Sequence, residues 1–150
     1  MNINNKSHNL ELDPDELWFD KTLIKRGERK RLSLKVANLF DNTDMVIKCD
    51  IIRGKKPGPI LFISAAIHGD EINGVFVISK FLSHQNYLKD LTGTIITVPV
   101  VNMFGFNRSV RYLPDRRDLN RCFPGSKNGS LASQMAYLIT ENILKKHITA

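Results

Sequence analysis

The chain has 150 residues, 42% of them hydrophobic, enough to bury one core; a single domain is the expectation. No apolar run reaches the roughly 18 residues of a membrane span, and the opening MNINNKSHNLELDPDE has no secretory h-region, so a cytoplasmic protein without a membrane partner is expected. The net charge of +7 fits a nucleic-acid surface, a site for small anions, or solubility alone. Its distribution argues against nucleic acid: KRGERKR at 25–31 reads as a solvated surface run with no interleaved aromatic residues. Cys49 and Cys122 stand far apart outside any C-x-x-C pair, and two reduced thiols are expected.

Residues 1–12 are polar and read as frayed, and Asp13 to Phe19 as a short helical turn. Arg31 to Phe40 and Met45 to Arg53 then read as strands joined at the turn Asp41-Asn-Thr-Asp44, a β-hairpin. Ile60 to Ile67 (ILFISAAI) reads as a buried strand, and Ile72 to Leu82 carries apolar residues at helical spacing. Thr94 to Val101 (TIITVPVV) follows as a second core strand, which completes a βαβ unit with parallel pairing. From Asn102 to Ser130 periodicity is lost, and a loop of that length is usually functional or disordered. A last helix runs from Leu131 to His147 with Ser130 as its N-cap.

Two constellations carry chemistry. His68 and Glu71 sit three residues apart on the turn after the Ile60 strand, the crevice where open α/β sheets bind ligands. Catalytic zinc is commonly held by two histidines and a glutamate with a position left for water, so the pair could supply two ligands. A chance H-x-x-E, with the histidine hydrogen-bonded in a loop and the glutamate solvated, is the competing reading. The second constellation is the loop with Arg108, Arg111, Arg116, Arg117 and Arg121. Guanidinium forks there could converge on a carboxylate with Asn120 as a neutral donor, or could pin the loop by pairing with Asp115 or Asp118.

HGDEINGV followed in register by VPVVNMFGFNRSVRYLPDRRDLNRCFPG resembles the succinylglutamate desuccinylase/aspartoacylase family of zinc carboxypeptidase-like hydrolases, over roughly Lys55 to Ala150. The resemblance implies an α/β, three-layer fold with a mixed sheet, preceded by the hairpin and truncated after the first βαβ units. It also implies one zinc ion per complete site and a small anionic substrate resembling an N-acyl amino acid. On this reading His68 and Glu71 are zinc ligands, Asn120 and Arg121 grip the substrate carboxylate, and Arg111 stabilises the oxyanion; Asp118 orients a ligand or an arginine. The family's third ligand and its glutamate base lie on segments that follow the last helix. The implied organisation is an N-terminal part of a deacylase catalytic domain, with a leader over 13–57 and the core over 58–150. Such a part is weakly active or inactive unless a second chain completes it. A non-catalytic anion- or metabolite-binding remnant and one half of a split enzyme are the alternatives.

Overall fold

The computed structural model describes residues 16–38, 42–84 and 89–145. The readings of residues 1–12, of 39–41 at the hairpin turn, and of His147 fall outside them. The described chain begins with a two-stranded hairpin, β1 (Leu17–Phe19) and β2 (Thr22–Ile24), where a helical turn was expected. Alternation explains the difference. Phe19 and Ile24 are fully buried, while Asp20 and Lys21 take φ of 43° and 63°, the left-handed pair that a two-residue turn requires.

β3 (Arg29–Asn38) and β4 (Asp44–Arg53) form the expected antiparallel hairpin, with a register shift between Lys35 and Ala37. β3 begins inside the basic run, which is therefore not merely solvated. Asp50 on β4 is 3% exposed; Arg29 Nη2 donates to its Oδ1 at 3.0 Å and Arg31 Nε to its Oδ2 at 3.1 Å. A buried carboxylate needs such partners. Arg29 Nη1 also donates to the Leu82 carbonyl at 3.0 Å.

β5 (Lys56–Ser64) and β6 (Thr92–Val98) pair in parallel, with α1 (Asn73–Ser83) as the crossover. The sheet order is β3-β4-β6-β5, so β4 lies between β3 and β6 and the sheet is mixed. Side chains alternate between its two faces. Ile52 and Ile95, with Ile63, meet Ile78 and Leu82 of α1 on one face. On the other, Ile47, Ile51, Ile96 and Val98 pack with Ala132, Met135, Ala136 and Ile139 of α3 (Leu131–Ile139), which continues as a π-helical turn over Thr140–Leu144. Helix, sheet and helix form three layers. The Ser130 hydroxyl caps α3 as expected, accepting from Ser133 N at 3.3 Å.

Two expectations change. The strand Ile60 to Ile67 is not interior: β5 is the sheet's edge, it ends at Ser64, and Leu61 is 54% exposed. The supposed loop after Val101 contains α2 (Met103–Arg108) and a 3-10 turn at Leu119–Arg121. Asn102 starts α2 by accepting from Gly105 N at 2.8 Å, an N-cap in a stretch whose glycine and polar residues masked its helical character.

Candidate active site

β5 delivers the chain to the site through a contorted exit. Ala65 N donates to the Val98 carbonyl, Ala66 adopts φ 49°, and Asn102 N donates to the Ala66 carbonyl at 2.9 Å. Gly69 then passes so close to α2 that a Cβ would lie 2.0 Å from the Gly105 carbonyl carbon and 2.2 Å from Phe106 N. Only glycine permits that approach. Gly105 is confined in turn, since its own Cβ would meet the Val110 carbonyl oxygen at 2.5 Å. The turn that carries His68 is thereby pressed against the helix that leads into the arginine loop.

His68 is 6% exposed and lies between two carboxylates. Its Nδ1 is 2.7 Å from Glu71 Oε1 and its Nε2 is 2.9 Å from Asp118 Oδ1. Asp118 also accepts from Arg111, whose Nη2 donates to Oδ2 at 3.0 Å, and from Asn120 N at 2.9 Å. Arg111 Nη1 lies 3.7 Å from Glu71 Oε1. Four charged or ionisable side chains from the two sequence motifs thus meet in one array.

Their protonation follows from these contacts. Burial works to lower the His68 pKa, but the hydrogen bonds to Asp118 and Glu71 outweigh it, and the net shift is upward. The bond from His68, aided by Arg111 and the Asn120 amide against the cost of burial, lowers the Asp118 carboxyl to about 2. Arg111 is raised chiefly by its bond to Asp118. Without a cation the two carboxylates favour the imidazolium form of His68.

The donor chemistry fits two ligand positions of a zinc site. Nδ1 and the Glu71 carboxylate converge, whereas Asp118 occupies the far side of the ring, where a carboxylate fixes the tautomer and orientation of a metal-ligating histidine. Among the described residues no group of three His, Cys, Asp or Glu side chains is placed to hold a metal ion. Asp118 hydrogen-bonds both His68 and Arg111.

The arginines do not all converge. Arg111 is in the array, Arg108 stacks on the Phe104 ring with its guanidinium carbon 4.0 Å from the centroid, and Arg116 adopts φ 59° on the exposed loop. Asn120 and Arg121 are exposed on the 3-10 turn next to Asp118, which caps it. Among the described residues Asp115 bonds backbone amides and no arginine side chain. Its carboxylate accepts from Ala132 N at 2.9 Å and Arg117 N at 3.3 Å, tying the loop to the start of α3. The sequence reading gave no role to Asn102, which is fully buried and donates to the Arg111 carbonyl at 3.2 Å. Its position before a helix was the available signal.

Residues 57–148 match the model of the succinylglutamate desuccinylase/aspartoacylase catalytic domain. An N-alpha-acetyl-L-2,4-diaminobutyric acid deacetylase from Halomonas elongata is 34% identical over 84 residues, 55% of this chain and 24% of that protein. The crystal structure of a succinylglutamate desuccinylase/aspartoacylase from Rhodobacter sphaeroides superposes with a TM-score of 0.73 at 26% identity, covering 85% of this chain and 38% of its own. The product-bound ectoine utilization protein EutE (DoeB) from Ruegeria pomeroyi gives 0.70 at 28%, covering 79% and 37%. The chain therefore spans about a quarter to two fifths of the length of these proteins.

Proposed function

The chain belongs to the succinylglutamate desuccinylase/aspartoacylase family, and from that premise we propose that it forms the His68–Glu71 side of a zinc-dependent hydrolase, which removes the acyl group of an N-acylated amino acid or a related amide or ester. The observation that carries the reading is Asp118, held at 2.9 Å from His68 Nε2 so that Nδ1 faces Glu71. A histidine packed only for structure does not need both ring nitrogens on carboxylates. The names of relatives support the substrate class: one is a deacetylase of an N-acetylated amino acid.

In this reading His68 Nδ1 and the Glu71 carboxylate would hold the metal, with His68 in the tautomer whose Nε2–H donates to Asp118. Zinc bound there would supply Lewis acidity, lowering the pKa of a bound water to about 7 and polarising the acyl carbonyl. Arg111, anchored by Asp118 and next to Glu71, places a fixed positive charge where a carbonyl oxygen would gain negative charge. Asn120 and Arg121 orient the substrate through its carboxylate, which aligns the bond to be cut. The third ligand and the general base come from polypeptide beyond the described residues. Free Cys49 and Cys122 agree with a cytoplasmic setting.

Elemental mass spectrometry of the gently purified chain, alongside His68→Ala, tests the proposal. With two described ligands, less than one zinc per chain is expected in the parent and none in the variant. Equal zinc in both would place the metal elsewhere and remove the reading.

A further inference from the structure

Asn102 is fully buried, and its polar groups reach three separate segments of the candidate site. The backbone N–H donates to the Ala66 carbonyl at 2.9 Å, on the contorted exit from β5 that leads to His68. The side-chain Oδ1 accepts from Gly105 N at 2.8 Å in the first turn of α2, where Gly105 lies against Gly69 of the His68 turn. The side-chain Nδ2 donates to the Arg111 carbonyl at 3.2 Å. Val110 N, donating to the Gly105 carbonyl at 2.9 Å, brings the loop back onto α2 just before Arg111.

Capping a helix does not by itself call for asparagine, because serine, threonine and aspartate also accept from a first-turn amide. The bond to Arg111 needs a donor beside that acceptor, and the planar amide supplies both. The same pair fixes its orientation. Turned over, it would set NH2 against Gly105 N–H and an oxygen against the Arg111 carbonyl. With the side chain wholly out of water, either group left without its partner would carry the cost of its desolvation. Arg111 is consequently held at both ends: Asn102 ties its main chain, and Asp118 accepts from its Nε at 3.3 Å and its Nη2 at 3.0 Å. Two fixed ends leave a rotamer-rich side chain few places for its charge.

We propose that Asn102 is a positioning residue, which couples the turn bearing His68 to the loop bearing Arg111 and so keeps the Arg111 guanidinium beside Glu71 and Asp118 before any substrate arrives. Among the described residues the hydrogen bonds of Asn102 go to Ala66, Gly105, Phe106 and Arg111, so it acts on the array through backbone and not by touching His68, Glu71 or Asp118. A charge set in place beforehand needs no rearrangement as an oxyanion forms. The purpose of the tether rests on the proposed hydrolase; the tether itself does not.

The test uses the full chain in chelator and reads solvent exchange of the Arg111 Nε–H by nitrogen-edited nuclear magnetic resonance. Asn102→Asp and Asn102→Ser each keep an acceptor for the start of α2; the first has no donor for the Arg111 carbonyl, and the second places its hydroxyl one atom short of it. In both, the Arg111 Nε–H should speed up at least about tenfold more than the Ile51 and Ile96 amides of the sheet, towards its rate in Asp118→Ala. That comparison separates positioning from a general loss of stability, which moves the sheet amides as much. Acceleration no greater than that of the sheet would overturn the proposal. Release in only one of the two variants would overturn it too, because lost volume or added charge, and not the missing donor, would then be the cause. If neither variant folds, the parent decides: its Asn102 side-chain amide should exchange within about tenfold of the Gly105 amide, and faster exchange would overturn the tether. Release of Arg111 in the variants of a chain that takes up no zinc would keep Asn102 and remove the hydrolase reading. Zinc uptake with Arg111 unmoved would do the reverse.

Discussion

Asp118 is the residue on which the site turns, because one carboxylate orients both a histidine and an arginine. Asp118→Asn keeps the shape but removes the charge and turns one acceptor oxygen into a donor. It should lower zinc affinity about 10- to 100-fold, read by competition with a chromophoric chelator, with circular dichroism unchanged. The pH dependence of the metal-free chain has two limbs. The Asp118 carboxyl is depressed when folded, so its contribution is present above the ordinary range near 4 and is lost as pH falls towards about 2. The His68 pKa is raised when folded, so its contribution is complete below about 6.5 and declines as pH rises through the higher folded value. Urea denaturation in chelator across pH 2 to 9 should show both, and a flat alkaline limb would contradict the His68 array. The two thiols should differ as sharply: burial, with the Asp50 charge, raises Cys49 to about 12, whereas Cys122 is only partly covered. A thiol reagent at neutral pH should label Cys122 in the folded chain and Cys49 only after unfolding. Equal rates would mean the sheet interior is open.

At the scale of elements, the decisive contact is backbone on backbone, where the His68 turn meets α2 at Gly69 and Gly105. Gly69→Ala forces carbon into peptide atoms that cannot rotate away. It should cost about 1–3 kcal/mol in urea denaturation and lower zinc affinity as well. An equally stable variant would show that the turn has room. The two faces of α1 should respond differently: Ile78→Ala removes a core contact worth about 2–4 kcal/mol, while Phe76→Ala in the isolated chain should change stability by less than about 0.5 kcal/mol.

Element by element, sequence pattern and structure agree where periodicity is long. The β3–β4 hairpin, the parallel β5–α1–β6 unit and the Ser130 cap follow from alternation, helical spacing and capping chemistry. Short elements were not legible in this way. Three-residue β1 and β2 carry almost no period, and Leu17 to Phe19 fits a helical turn equally well until the left-handed Asp20-Lys21 turn is seen. The site motifs could be read from residue types; their meeting across the 50 residues between His68 and Asp118 followed from the resemblance and not from spacing or composition. Edge position escaped for a different reason. Ile60 to Ile63 has the composition of an interior strand, and composition reports the environment a segment is built for rather than its present neighbours.

For the whole molecule, the place of β4 decides where a foldable unit begins. The region that matches the family's catalytic domain begins at residue 57, after β4 has ended, yet β4 sits inside the sheet between β3 and β6. Asp50 on that strand is gripped by Arg29 and Arg31, and Arg29 reaches on to the last turn of α1. The boundary drawn by similarity and the boundary of cooperative folding are therefore different lines. A polypeptide cut at residue 57 would expose β6 along the flank that β4 covers and should be recovered as aggregate, whereas one beginning at residue 16 should stay dispersed. Two of the four strands of the sheet that carries the site, β3 and β4, are written before the matched region begins.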